Sequence, residues 1–339
     1  MARGSGVSDA GYKRETFFKS SFPRRRESEY HLLKIITVRV KFVRIFPKAG
    51  GVWTPAFAGV TGKSMSKNIR TQSIGVFDSG FGGLSILRGI VRELPEYDFV
   101  YLGDTARVPY GTRSPDTVFE FTRQAVEFLF EKNCGLVILA CNTASSDALR
   151  RIQREYLPKH FPDRNVLGVL IPAVEEAVAK TRNKKVGIMA TSGTVASGSF
   201  VREFSKLDPE IQAFQNACPL LVPLVEAGEE NSPATEYFLK KYLKPLLAED
   251  IDTLILGCTH YGLLERTIRK LVGRKVHIVS ESRIIGGKLR GYLARHPKRE
   301  QMLGKRSART FYSTDLTEHF STLGKRFFGE EIEVEKVVL

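Results

Sequence analysis

The sequence predicts an α/β protein: two pseudo-symmetric three-layer lobes with mainly parallel sheets and an active site in the cleft between them. Three observations carry that reading. Short, wholly apolar runs alternate with segments of helical periodicity, the pattern of strands covered on both faces by helices. The alternation restarts at Lys185 with segments that resemble the first series. Each half also places a cysteine after an apolar run and ahead of a helix.

The elements follow in order from residue 73. Ser73 to Phe77 reads as a strand, and Leu84 to Leu94 as a helix with Leu84, Leu87, Ile90, Val91 and Leu94 on one face. Phe99 to Leu102 is the second strand. Thr117 to Glu131 is a helix expected to turn Phe121, Ala125, Phe128 and Leu129 inward. Leu136 to Ala140 is an apolar strand, followed by a helix over Ser145 to Leu157. In the second series Lys185 to Ala190 is a strand, Thr235 to Leu247 a helix despite Pro245, Thr253 to Gly257 a strand and Leu263 to Val272 a helix. Gly75 to Gly80 pairs with Gly187 to Gly193, and Leu136 to Thr143 with Leu254 to Thr259. The offsets, 112 from Gly75 to Gly187 and 117 from Cys141 to Cys258, are close enough to suggest an internal duplication; chance similarity among buried strands is the alternative. Two such units would face each other and offer the carboxyl ends of their strands to a shared cleft.

Composition excludes several classes. Of 339 residues 42% are hydrophobic and 26% charged, a globular balance. No apolar run approaches the roughly 18–20 residues of a bilayer span. Four scattered cysteines without a CxxC pair make neither a disulfide framework nor a common zinc pattern, so reduced thiols in the cytosol are expected. The formal charge of +15 invites a nucleic-acid reading, but residues 1–64 hold 13 Lys and Arg against 4 Asp and Glu. That segment is interrupted by charge too often to be a signal peptide. FPRRRES and WTPAFAGVTG read like translated bacterial repeat sequence, and Met65 precedes Ser66-Lys67-Asn68 as a plausible start. Residues 1–64 are therefore expected to be a read-through or disordered extension, with a transit peptide or basic arm as alternatives.

The chemistry centres on Cys141 and Cys258. Both sit at a strand end ahead of a helix, where dipole and free amides are expected to lower a thiol pKa. Cys134 and Cys218 lack that setting and read as core or bystander residues. Two facing thiols admit a disulfide, disfavoured in a reducing compartment, a metal site, which wants more ligands, or proton transfer from opposite faces of one carbon. The surroundings suit the third. Asp78 ends a strand before the loop Ser79-Gly80-Phe81-Gly82-Gly83, whose amides suit a carboxylate. Asn142 and Thr143 follow one cysteine, Thr259 and His260 the other, and suit a carboxylate and an ammonium; helix capping is their bland alternative. His260 is placed to relay the Cys258 proton. Pro109-Tyr110-Gly111 forms a turn that either contacts substrate or only packs.

Taken together, Phe77 to Ser85, Tyr101 to Asp104, Pro109 to Gly111, Ala140 to Ser145, Gly168 to Ala173, Thr191 to Thr194, Pro223 to Glu226, Gly257 to Tyr261 and Phe311 to Asp315 resemble the glutamate racemases of the cofactor-independent Asp/Glu racemase superfamily. The resemblance runs from about residue 73 to the end. It implies an enzyme that interconverts L- and D-glutamate for peptidoglycan without cofactor or metal, a small-molecule partner with neither nucleic acid nor membrane, and allows a homodimer. It implies that Cys141 deprotonates D-glutamate and Cys258 L-glutamate, that Asp78 assists Cys141, and that His260, with Glu226 nearby, assists Cys258. Asp78, Ser79, Tyr110, Gly111, Asn142, Thr143, Thr259 and His260 would bind substrate. The implied chain path makes the first lobe discontinuous, 65–165 plus 281–339, around a second lobe at 166–280.

Two departures stand out. Gly262 replaces the proline usual after the tyrosine, so the loop beyond Cys258 is expected to be looser. Leu170-Ile171 varies in what reads as a loop near the hinge. An aspartate racemase is the near alternative, weakened by His260, and a ligand sensor on a dead racemase scaffold is weakened by retention of Cys141, Cys258, Asp78 and His260.

Overall fold

The structure is a computed structural model that describes residues 71–316 and 320–339. The expectations for residues 1–64, and for a start at Met65, lie outside the described residues. Those described belong to one compact unit and form ten strands in two sheets, every ladder parallel.

The first sheet contains β1 (Ser73–Asp78), β2 (Phe99–Gly103), β3 (Cys134–Leu139), β4 (Asn165–Gly168), β9 (Arg309–Ser313) and β10 (Val334–Lys336), in the order β10-β9-β2-β1-β3-β4. The second contains β5 (Lys185–Ala190), β6 (Gln212–Ala217), β7 (Thr253–Gly257) and β8 (His277–Ser280), in the order β6-β5-β7-β8. Strands β2-β1-β3-β4 and β6-β5-β7-β8 thus follow one pattern. The paired motifs of the sequence fall on matching strands, β1 with β5 and β3 with β7. Strands β2, β3 and β7 are buried along their whole length, as expected where helices cover both faces.

Strand β4 carries the first sheet past residue 165, and the helix Leu170–Lys180 packs into the core of the second through Leu170, Ala173, Val174 and Ala177. After β8 the helix Glu281–Arg295 returns to pack along α1 (Gly83–Glu93). Their backbones approach at two glycines. A Cβ on Gly89 would overlap the Ser282 carbonyl, and one on Gly286 would lie 2.6 Å from Cγ of Glu93. A single apolar core continues from Ile74, Val76 and Leu87 of the first lobe to Leu254, Leu256 and Ile268 of the second, so the lobes share buried surface.

Local differences from the sequence reading have physical reasons. Helix α2 (Pro115–Glu131) buries Val118, Thr122, Ala125, Val126, Leu129 and Phe130. Phe121 and Phe128 sit at its flank instead, against Tyr110 and Tyr312. The helix expected over 145–157 starts earlier, as α3 (Asn142–Asp147), and does not continue regularly. Its backbone widens to a π turn over Ile152–Tyr156 ahead of Leu157–His160. Pro158 has no N–H for the Arg154 carbonyl and its ring crowds that oxygen, which favours the wider turn. Leu170-Ile171 lies in the first turn of a helix, not in a loop. The segment beyond Cys258 is not loose: it winds into a 3-10 helix, Thr259–Leu264, with Tyr261 buried and its hydroxyl donating to the Cys218 carbonyl at 3.1 Å. Among the described residues no helix is long and apolar enough to cross a membrane.

Candidate active site

The carboxyl ends of β1 and β3 face those of β5 and β7 across a cavity of about 300 Å³. Cys141 and Cys258 both line it, with Ser79, Tyr110, Gly111, Asn142, Thr143, Thr259, His260 and Glu226. Every residue expected at the site is therefore in the wall except Asp78, which lies behind it, 1% exposed. An Asp78 carboxylate oxygen accepts from the Gly80 amide at 3.0 Å and shapes the turn that presents Ser79.

The strand ends set the two thiols differently. Cys141 is itself the cap of α3: extended at φ −65°, ψ 122°, its sulfur accepts from the Ala144 amide at 3.5 Å and meets the Ser79 hydroxyl at 3.4 Å. Asn142 and Thr143 are consequently the first helical residues and not caps, so their side chains are available to the cavity. Cys258 opens the 3-10 helix without a side-chain cap bond. Its sulfur lies 3.9 Å from Nδ1 of His260.

The expected lowering of the thiol pKa is not found. Burial pushes Cys141 up to about 11, reinforced by the charge of Asp78 and opposed by the Ser79 and Ala144 contacts. Burial also holds Cys258 well above the ordinary thiol value; the His260 amide opposes it, while Cys141, Asp78 and Glu281 add to it. Desolvation of an anion outweighs one or two amide dipoles when the thiol is largely withdrawn from water. Asp78 is raised for the same reason, against the attraction of His260 and the amides of Gly80 and Gly83.

His260 is 6% exposed, and its Nε2 stands 2.9 Å from Oε1 of Glu226. Phe327 packs edge-on against the imidazole at 5.2 Å. From the other lobe, Gly82 reaches the same spot: a Cβ there would lie 2.6 Å from Nδ1 of His260 and overlap the Thr259 hydroxyl. Only a residue without a side chain lets the start of α1 meet Thr259 and His260 this closely.

Tyr110 contributes its position and not its hydroxyl. It is 1% exposed and donates to Oδ2 of buried Asp104 at 2.5 Å. Asp104 also accepts from Arg107 at 2.6 Å and Thr314 at 2.8 Å. The turn over 108–112 is thereby pinned beneath the cavity, where Gly111 lies against Thr191.

Sequence reasoning missed Thr191, Ser192, Pro219, Val222 and Pro223 in the wall. Thr191 was within reach, because it follows β5 as Ser79 follows β1; its hydroxyl meets that of Thr143 at 3.1 Å across the cleft. Cys218 also lines the cavity, but burial raises its thiol to about 12 and its sulfur turns to the Asn216 carbonyl. Glu281 was missed as well. It is 2% exposed and accepts from Nδ2 of Asn142 at 2.7 Å.

Comparison with known proteins agrees with this geometry. Residues 74–281 match the family described as Asp/Glu/Hydantoin racemase. A glutamate racemase of Geobacter metallireducens is 38% identical over 265 residues, 77% of this chain and 94% of the relative. The structure of a glutamate racemase isoform from Bacillus anthracis superposes with a TM-score of 0.73 at 34% identity, covering 80% of this chain and 98% of that one. A Francisella tularensis glutamate racemase, solved in complex with D-glutamate, gives 0.72 at 32% identity, covering 80% and 98%. With its matched strand ends, its two cysteines in one cavity and these relatives along nearly their whole length, the chain belongs to the Asp/Glu/Hydantoin racemase family and within it to the glutamate racemases.

Proposed function

We propose that this cleft interconverts L- and D-glutamate by proton transfer at the α-carbon between Cys141 and Cys258, supplying D-glutamate for peptidoglycan. The observation that carries the reading is that the two thiols end equivalent strands of facing lobes and share one cavity. In one direction the Cys258 thiolate takes the α-proton of L-glutamate and the Cys141 thiol returns its own proton to the opposite face. In the other direction the sulfurs exchange roles. Each turnover moves one proton on and one off carbon, so no redox partner is consumed.

The high thiol pKa values suit this chemistry. A buried thiolate is a strong base, and stronger bases remove a weakly acidic α-proton more readily. The thiolate forms against the substrate's ammonium, whose charge offsets the desolvation that otherwise keeps the thiol neutral. On the Cys258 side His260 takes the proton at Nδ1, since the Glu226 oxygen 2.9 Å from Nε2 accepts the hydrogen held there. On the Cys141 side Ser79 is the direct polar contact; Asp78 acts through the turn it braces. The amides after Asp78 and the side chains of Asn142, Thr143, Thr191 and Thr259 hold the substrate's charged ends and stabilise the carbanion.

The test is incubation with L- or D-glutamate in D2O without added cofactor, with aspartate in parallel. The α-hydrogen should exchange while optical rotation decays toward zero, for glutamate well ahead of aspartate. Cys141→Ala and Cys258→Ala should each abolish racemisation; near-normal turnover by either variant rejects the two-thiol scheme.

A further inference from the structure

Glu281 lies outside the machinery described so far, yet it is the most unusual carboxyl group beside it. It begins the helix after β8, on the second sheet, and reaches Asn142 at the end of β3 of the first. Both residues are 2% exposed. The bond, Nδ2 to Oε2 at 2.7 Å, uses the amide nitrogen of Asn142. The amide oxygen, Oδ1, is buried and has no hydrogen-bond partner in the protein, and Asn142 lines the cavity.

An asparagine side chain presents two opposite faces, an acceptor oxygen and a donor NH2, and a 180° turn about its last bond exchanges them. The bond actually made, from the NH2 to Oε2 of Glu281, sets which face remains for a ligand. Here the NH2 is bound to Glu281, so the unsatisfied acceptor is left to the substrate. A buried acceptor without a partner is costly, and an α-ammonium satisfies it.

We infer that Glu281 is a positioning residue that orients the Asn142 amide, so that its oxygen faces the cleft and selects a ligand bearing an ammonium at the α-carbon. The inference rests on the reading of the cleft as an amino-acid site. Burial raises the Glu281 carboxyl to about 8, opposed by the Asn142 bond and helped by the charge of Asp78. The carboxyl group is thus kept in a costly place, as a positioning role requires.

The probe is 2-oxoglutarate, which has the carbon skeleton of glutamate with an acceptor oxygen in place of the ammonium. In the wild-type enzyme its Ki should exceed the KM for glutamate at least tenfold; a ratio near one overturns the inference without any variant. In Glu281→Met, which has similar length and no acceptor, the amide is free to turn. The ratio of Ki to KM should fall at least fivefold, and it should fall in Glu281→Gln too, because an amide that can donate as well as accept no longer dictates the turn. Should Glu281→Met fail to fold, Glu281→Ala carries the same readout. A folded variant with a lower kcat but an unchanged ratio assigns Glu281 a merely structural role and overturns the inference. Cys141→Ala and Cys258→Ala serve as controls: if either racemises glutamate, the reading of the site fails. If both are inactive and the ratio does not move, only the role of Glu281 fails.

Discussion

Oε1 of Glu226 lies 2.9 Å from Nε2 of His260, and in the proposed reaction this contact sets the chemistry of the Cys258 half-site. An acceptor on Nε2 fixes the tautomer and turns the lone pair of Nδ1 toward Cys258 Sγ at 3.9 Å and the Thr259 hydroxyl at 3.4 Å. Among the described residues Cys141 has no equivalent imidazole; its sulfur meets Ser79. The two half-sites share strand geometry but differ in the groups that meet the sulfur, so the proposed reaction draws the proton from each differently.

That asymmetry makes the first prediction. Glu226→Gln leaves the ring in place but no longer dictates its tautomer, and kcat should fall about 10- to 100-fold, a fraction of what general acid–base groups commonly supply. The primary isotope effect should rise more with α-deuterated L-glutamate, which loses its deuteron to Cys258, than with the D-enantiomer. Equal effects on the two enantiomers would place Glu226 outside the Cys258 step.

The thiol environment predicts the pH dependence. Burial raises both sulfurs, Cys141 to about 11, so the reactive thiolate is scarce at pH 7 and grows with pH. kcat/KM should climb between pH 7 and 9, by up to about tenfold per unit. The profiles for the two enantiomers should coincide, since mirror-image substrates have an equilibrium constant of one. Alkylation of the free enzyme by iodoacetamide should accelerate over the same range. A rate independent of pH from 6 to 9 would show that the thiolate is already formed.

Tyr110 should prove structural. Tyr110→Phe removes a donor from Asp104, which keeps Arg107 and Thr314. The expected cost is about 1.5–3 kcal/mol, the range for hydrogen bonds to charged groups, read as a lower Tm. KM for glutamate should change less than threefold. A large rise in KM with unchanged Tm would return the hydroxyl to the binding site.

Glu281 makes a stability prediction with a definite sign. Its folded carboxyl titrates near 8 against the ordinary 4.5, so below about pH 4.5 it costs nothing. Between these values the unfolded chain releases a proton that the folded one keeps, and stability falls by up to about 1.4 kcal/mol per pH unit. Asp78 and Cys258 are the titratable groups coupled to it. Glu281→Gln removes the penalty, so the Tm difference between variant and wild type should widen from pH 5 to pH 8. A constant difference would mean that the carboxyl ionises normally.

Strands β1, β2, β3, β5 and β7 were legible in the sequence because each is a short apolar run of the kind helices cover on both faces; β4, β6 and β8 were not, β6 being a half-exposed, largely polar QAFQNA. The duplication was legible because LVILACNT and LILGCT keep the same strand-then-cysteine order. From those features follow the two lobes, the facing strand ends, and the nomination of Cys141 and Cys258. Glu226 and His260 were also within reach, through the resemblance of their flanking residues. The sidedness of α2 was not: Phe121 and Phe128 satisfy the helical period, but Tyr110 and Tyr312 offer them partners at its flank.

Only the folded chain decided the ionisation of the site, because a pKa depends on how much water and charge surround a group, and these come from segments distant in sequence. The helix-end position of the thiols pointed to acidic sulfurs, whereas enclosure by both lobes makes them weak acids. The pairing of Asn142 with Glu281 spans 139 residues, with no local pattern to announce it. Residue type and order determined which groups could do the chemistry; burial and long-range contact determined their protonation and the partners each one keeps.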